Sequence, residues 1–292
     1  MSHSPAEPTG ALDVIVCSDR HQFVGALALI RSAVVNTRHP RKLSFHLLTG
    51  KGESAALLAC LRRAFPDPVF RYEVEEFLPT PVMERYIRVA EGGLCNVPYR
   101  SAALNCSRFY LAEVFPELDK IVYLDADIVV QGDLADLDRE ATLDRHDLAA
   151  VPEKEWGLFL QHAPQLRGVD FRRPGFNAGV FVTSLRRWRE LSVAVQTETW
   201  MSAWCDVREG RGEDLFYFGS QAILNLIFHE KTQWLSKRWN VCSLGYIHDI
   251  PAPDLDGAGI LHWSCSRKPW KPNGRYKEYW EKYDVSGGAF EG

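Results

Sequence analysis

Asp125 and Asp127 stand one residue apart inside IVYLDADIVV (Ile121–Val130), the most strand-like run of the chain. Side chains two apart on an extended backbone leave on the same side. The two carboxylates can therefore be aimed together where the strand leaves its sheet. Carboxylates held that close repel, and one is driven toward protonation unless a cation lies between them. Hard divalent ions prefer oxygen ligands and would cancel the repulsion. The same triplet also suits a turn with solvated acids or a helix-capping aspartate. A second chemical feature is a basic end: Arg267, Lys268, Lys271, Arg275, Lys277 and Lys282, against Glu278 and Glu281, on a chain of net charge −4. That contrast suits a small anionic ligand and argues against a general nucleic-acid binder, which is usually clearly basic.

The elements around the triplet alternate. Asp13–Cys17 reads as a buried strand, and Phe23–Asn36 as a helix with Val24, Leu27, Ile30 and Val34 at helical spacing. Lys42–Gly50 is a second strand, Glu53–Phe65 a helix that Pro66 stops, and Pro68–Phe77 an alternating third strand. Ser101–Val114 is helical in pattern, with Pro116 limiting it before the strand KIVYL. Asp147–Val151 and Ala178–Leu185 read as strands, Gln221–Phe228 as a helix and Gly259–Trp263 as a last short strand. Such alternation predicts an α/β fold, a mainly parallel central sheet flanked by helices, which binds ligands at the carboxyl ends of its strands. The pair of aspartates would lie there. The loops Glu153–Gly175 and Glu209–Gly219 are the flexible candidates.

The chain has 292 residues, 46% hydrophobic and 25% charged, an ordinary globular balance with length enough for a sizeable core. Its seven cysteines are scattered with no CxxC pair, which reads as reduced thiols in a cytoplasmic protein. The opening MSHSPAEPTGA is polar and unlike a signal peptide, and no apolar run has the length of a membrane span. A Golgi or secreted form would require a removed leader. The expected organisation is a flexible N-terminus (1–12), one domain (13–283) and a tail (284–292).

The segment NCSRFYLAEVFPELDKIVYLDADIVVQGDL (Asn105–Leu134) resembles the core signature of the family 8 glycosyltransferases. FNAGVFVTSLRRWRE (Phe176–Glu190), QAILNLIF (Gln221–Phe228) and LHWSCSRKPWK (Leu261–Lys271) agree with it in the same order. The likeness runs from about Asp13 to Tyr283. It implies a single Rossmann-like GT-A domain and a retaining enzyme that uses a UDP-sugar with Mn2+ (or Mg2+). The resemblance assigns the metal to Asp125, Asp127 and His262, and a diphosphate contact to Lys268. A cation there would neutralise charge on the departing diphosphate.

By the same resemblance Asp19 contacts the base or ribose, with a helix cap ahead of Phe23 as its other reading. His21 stands where the family often has asparagine. Arg108 touches the donor sugar, Glu153 meets the sugar hydroxyls, and Asn177 bonds the transferred sugar or its acceptor. Gln221 lies near the reacting carbon, where its amide, a poor nucleophile, would stabilise rather than attack. Retention would then follow from front-face attack, with double displacement as the alternative.

Two positions depart from the family pattern. Ser220 replaces an aspartate that many bacterial members carry before the glutamine, and Cys265 replaces a glycine whose amide approaches the phosphate. A side chain at Cys265 would narrow that approach or demand an unusual backbone angle. The expected activity is hexosyl transfer from UDP-glucose or UDP-galactose to a glycan, lipid-linked sugar or protein, with peripheral membrane contact left open and no nucleic-acid partner. Two other readings stay open: a weak or inactive nucleotide-sugar or glycan binder, and a self-glucosylating primer of the glycogenin kind.

Overall fold

The computed structural model describes residues 10–90, 99–153, 163–217 and 219–287. The strands are β1 (Leu12–Cys17), β2 (Leu43–Gly50), β3 (Arg71–Phe77), β4 (Lys120–Asp125), β5 (Ile128–Val130), β6 (Leu148–Glu153), β7 (Gly175–Ser184), β8 (Thr232–Trp234) and β9 (Ile260–His262). Between them lie α1 (Phe23–Val35), α2 (Ser54–Ala64), α3 (Pro81–Ala90), α4 (Tyr99–Ser107), α5 (Leu111–Val114), α6 (Leu134–Glu140), α7 (Leu185–Glu190), α8 (Val193–Arg211), α9 (Ser220–Phe228), α10 (Ala252–Asp256) and α11 (Lys277–Glu281). Seven strands form the central sheet in the order β3-β2-β1-β4-β7-β6-β8, and β5 pairs with β9 in a small second sheet.

The central strands are apolar on both faces because both faces are covered. Val14 and Val16 enter one core layer while Ile15 enters the other; Val122 and Leu124 divide from Ile121 and Tyr123 in the same way. Strands β3, β2, β1 and β4 run parallel, as does the pair β6–β8. The mainly parallel α/β sheet expected from the alternation is therefore present, with one strand reversed. β7 runs antiparallel to both β4 and β6. Its pairing with β6 shifts register at Ala150/Pro152, where proline has no N–H for the ladder.

Three expectations need correction. Ser101–Val114 is not one helix: a tight turn at Arg108–Tyr110 divides α4 from α5. Strand β7 starts at Gly175, so Asn177 lies within a strand rather than before one. Glu209–Gly219 is not all loop, since α8 continues to Arg211 and ends on Gly212 at φ 69°. Residues 154–162 of the other loop candidate and 1–9 of the N-terminus lie outside the described residues.

Candidate active site

Strand β4 ends on Asp125, in register with Cys17 at the carboxyl end of β1. Ala126 and Asp127 form a turn, and β5 then enters the second sheet. There Ile128 faces His262 across the β5–β9 ladder, and the Trp263 N–H donates to the Asp127 carbonyl at 2.9 Å. The change of sheet, not an extended backbone, turns the two carboxylates toward one another. It also delivers a histidine from the far end of the chain.

His262 Nε2 lies 3.4 Å from Asp127 Oδ1 and 3.8 Å from Asp125 Oδ2. One ligand atom from each residue falls within 4.8 Å of the others. The hydrogen-bond network fixes the ring. Asn240 Nδ2 donates to Asn177 Oδ1 at 3.2 Å, so Asn240 Oδ1 is the atom 3.0 Å from His262 Nδ1. An acceptor there places the proton of the neutral ring on Nδ1 and leaves the Nε2 lone pair facing two carboxylates. Three lone-pair donors, oxygen and nitrogen, suit a divalent cation, and their mutual repulsion is relieved by one. Space is reserved as well: a Cβ on Gly179 would lie 2.4 Å from His262 Cε1 and 2.6 Å from Asp125 Oδ2. The residues present therefore fit a metal ion.

Two cations flank this set. Arg108 is buried, donating to Asn105 O at 2.9 Å, Ala178 O at 2.6 Å and Asp125 Oδ1 at 2.8 Å, with its guanidinium 4.8 Å from the centre of the Tyr123 ring. Burial works against its charge, but Asp125 outweighs that and keeps it protonated. Tyr123 Oη donates to the same Asp125 oxygen at 3.0 Å. Lys268 bonds Asp127 Oδ2 and the Trp263 carbonyl. Burial alone would lift the Asp127 carboxyl, yet Lys268 and His262 hold it well below the usual carboxylate range. The tryptophan after Lys268-Pro269 has a packing reason: Trp270 lies over α1, where a Cβ on Gly25 would meet its ring at 2.6 Å and the Ala126 carbonyl at 2.5 Å.

A cleft of about 770 Å3 opens over these residues, lined also by Asp19, Asn105, Asn177, Gln221 and Cys265. Asp19 caps the turn through the His21 N–H at 3.0 Å, and it also lines the cleft, where Ser101 Oγ bonds it. His21 itself is exposed and does not line the cleft; its neighbour Gln22 does. Gln221 Oε1 accepts from the Ala178 N–H at 3.2 Å, and its Nε2 reaches Glu153 Oε2 at 3.4 Å. Glu153 thus meets the cluster through Gln221 and is not among the cleft-lining residues. Asn177 Oδ1 accepts from the Gly179 N–H at 3.0 Å as well as from Asn240. Cys265 is exposed and keeps φ at 75°, the backbone a glycine would adopt.

Sequence reasoning missed three asparagines. Asn240, 4% exposed, joins His262 to Asn177. Asn225 bonds both the N–H and the carbonyl of Phe176 and so fixes the start of β7 against α9. Asn105 accepts from the Ser220 N–H at 3.0 Å. Only Asn105 carried a usable signal. Ser101, Asn105 and Arg108 follow helical spacing, and they meet Asp19, Ser220 and Asp125 in turn.

An open sheet with its cleft at the carboxyl strand ends, holding two carboxylates, a histidine and a lysine, defines a Rossmann-like GT-A domain with a candidate cation centre. The chain belongs to glycosyl transferase family 8, whose model matches residues 13–274. It is similar to hexosyltransferase GAUT11 of Arabidopsis thaliana, 27% identical over 91% of this chain and 54% of that protein. It is also similar to glycosyltransferase 8 domain-containing protein 2 of Mus musculus, 25% identical over 97% of this chain and 85% of that protein. The chain spans about half the length of its Arabidopsis galacturonosyltransferase relatives. In fold it resembles the galactosyltransferase LgtC, solved with donor and acceptor sugar analogues, at TM-score 0.68 and 19% identity over 94% of this chain and 95% of that one. No helix of the described residues is long and apolar enough to cross a membrane, and the six described cysteines are unpaired.

Proposed function

We propose that this chain is a metal-dependent hexosyltransferase that moves a sugar from a UDP-sugar to a glycan, lipid-linked sugar or protein acceptor with retention of configuration. The observation that carries the reading is the convergence of Asp125, Asp127 and His262 within 4.8 Å at the carboxyl end of the sheet, in a cleft that also holds Lys268. These three residues would hold Mn2+ or Mg2+, which supplies charge neutralisation to the departing diphosphate when bound. UDP-glucose and UDP-galactose are the neutral donors expected from the sequence. The unpaired cysteines support a reducing compartment, the cytoplasm, for the reaction.

Each remaining residue has a part in this reading. Asp19, with Ser101 on one of its oxygens, takes the nucleoside end. Lys268 provides a point charge for the diphosphate. Arg108 commits three of its five N–H donors to Asn105, Ala178 and Asp125, which orients Asp125, and as a cleft-lining residue it has N–H groups left for the donor sugar. The Gln221 oxygen already accepts the Ala178 N–H, which makes it a poor nucleophile and favours front-face attack over a glycosyl-enzyme intermediate. Asn177 keeps its Nδ2 for ligand, because among the described residues only its Oδ1 is engaged.

Thermal melting of the full chain with UDP, with and without Mn2+, tests the reading. UDP with Mn2+ is expected to raise the midpoint, while UDP alone does little. No shift in either condition overturns the donor site.

A further inference from the structure

Strand β7 carries Asn177, Ala178 and Gly179 through a gap in the central sheet. Its ladder with β4 ends at Leu124↔Val180. On the other side β6 pairs with it at Ala150↔Phe181 and next at Pro152↔Phe176, so that Val151 alone spans the stretch from Asn177 to Val180. Neither ladder includes Asn177, Ala178 or Gly179, all of which line the cleft. Buried backbone groups that a sheet leaves unpaired need other partners.

Side chains take the place of the missing strand. Ala178 gives its N–H to Gln221 Oε1 at 3.2 Å, and its carbonyl accepts from Arg108 at 2.6 Å. Asn225 lies one turn beyond Gln221 on α9 and takes both backbone groups of Phe176. Its Oδ1 accepts the Phe176 N–H at 2.8 Å, while its Nδ2 donates to the Phe176 carbonyl and to the Gln221 carbonyl, each at 2.9 Å. These bonds use the acceptor and both donor hydrogens of an amide that is only 2% exposed. A single side chain thus reproduces the paired bonds that a neighbouring strand would make to Phe176. Gln221, four residues earlier on the same face of the helix, continues the row to Ala178.

We infer that Asn225 is a positioning residue of the transfer reaction, which rests on the donor-site reading above. It locks β7 and α9 in one register and so sets Asn177 and Gln221 against each other. Both of those side chains line the cleft and Asn225 does not, so it acts through them. Asp19, Asp125, Asp127, His262 and Lys268 sit on other elements. Loss of Asn225 should therefore displace the sugar side of the cleft and spare the nucleoside, diphosphate and cation side. A misplacement of about 1 Å at reacting groups costs about 100-fold in rate.

Asn225→Asp tests this, because it keeps the shape and the acceptor for the Phe176 N–H. Ionised, the new side chain turns an oxygen toward the Phe176 and Gln221 carbonyls; protonated, it donates to one of them. Burial beside two carbonyls raises the pKa of the introduced carboxyl, so the defect should recede as pH falls. The assay is UDP release with Mn2+, water as acceptor and UDP-glucose, UDP-galactose, UDP-glucuronate and UDP-galacturonate as probes, together with calorimetric titration of UDP. At about pH 8 the variant is expected to lose about 100-fold in kcat, with KM and UDP affinity within about threefold of the wild type. At about pH 6 its kcat relative to the wild type should recover about tenfold. That ratio cancels groups titrating in both proteins, Glu153 beside Gln221 included. Asn225→Leu has nothing to titrate, and its deficit should be the same at both pH values; if it does not fold, Asn225→Asp decides alone. A ratio independent of pH for Asn225→Asp, or equal losses of kcat and UDP affinity, overturns the inference and leaves Asn225 a residue of the fold alone. A wild type that binds UDP but releases none from the four probes overturns the transferase reading, and one that does not bind UDP overturns the donor site; the positioning role falls with either.

Discussion

Two histidines in this molecule each stand between two carboxylates, one on the central sheet and one on the small second sheet beside its carboxyl end. Toward the amino end, His46 on β2 places Nε2 2.9 Å from Asp13 Oδ1 of β1 and bonds Glu73 of β3 through Nδ1. At the carboxyl end, His262 gives Nδ1 to Asn240 and turns Nε2 toward both Asp125 and Asp127. The residue types are the same and the outcomes differ. His46 closes its set, because each ring nitrogen has its own carboxylate and a protonated ring satisfies all three groups. In the His262 set a single lone pair faces two acids, and a cation completes it. Among the described residues only the second set meets the spacing for a metal ion. A histidine among acids becomes a site through the destination of its second nitrogen.

Gly179→Ala should break this comparison most severely. Its Cβ would collide with His262 Cε1 and Asp125 Oδ2, which are held by Asn240 and by the end of β4. Loss of Mn2+ binding by about 100-fold or more is expected in calorimetry, following the usual cost of disturbing a metal shell. Glu73→Gln, at the closed set, should leave Mn2+ affinity unchanged. Full Mn2+ affinity in Gly179→Ala would sink the cation centre.

A milder test touches only the second nitrogen. Asn240→Leu keeps the bulk and removes the His262 Nδ1 partner. Metal affinity should fall about 10- to 100-fold. Asn240→Asp restores an acceptor for His262 but no donor for Asn177, so its affinity should lie between the two. Equal affinities in all three proteins would remove Asn240 from the site.

The closed set predicts a pH signature instead. Burial opposes charge on His46, but its hydrogen bonds to Asp13 and Glu73 outweigh that and raise its pKa. A raised folded value means that the stabilisation is fully present below the unfolded histidine value of about 6.5 and is lost as pH rises through the folded value. His46→Gln should therefore cost the most stability under mildly acidic conditions, about 1–3 kcal/mol for charged hydrogen bonds, and progressively less as pH rises. Urea denaturation of both proteins across that range measures it. A difference independent of pH would show that His46 is neutral in the fold.

Much of this was legible in the residue order, and the limits have physical reasons. Strands such as DVIVC and KIVYL announce themselves because both faces are buried, and the helix of Phe23–Val35 by its apolar spacing. α8 escaped because its pattern is blurred: polar Thr197 is buried among Val193, Met201 and Trp204, while Val195 is exposed. The break at Arg108 escaped because it serves a distant partner: the guanidinium must reach Asp125 and Ala178. Asp125 and Asp127 could be paired from their spacing, whereas His262 joined them only through the family likeness, since the β5–β9 ladder leaves no trace in local pattern. Asn240 had neither spacing nor likeness to mark it.

The smallest effect separates the two regions by strain. Cys265, between His262 and Lys268, holds φ at 75°, which an L side chain adopts at a cost of about 1 kcal/mol and glycine adopts freely. None of the three residues of the closed set has such a backbone angle. Cys265→Gly should therefore stabilise the fold slightly, by up to about 0.5 kcal/mol, after the extra freedom glycine gains when unfolded is counted. The same change at Asp13, on an extended strand, should destabilise it. Because Cys265 is exposed on the cleft wall, the glycine variant removes little packing, so its melting temperature reports the backbone term with small interference. A lower melting temperature for Cys265→Gly would mean that the thiol makes contacts worth more than the strain it carries, and the loop from His262 to Lys268 would then be held by its side chains rather than bent against them.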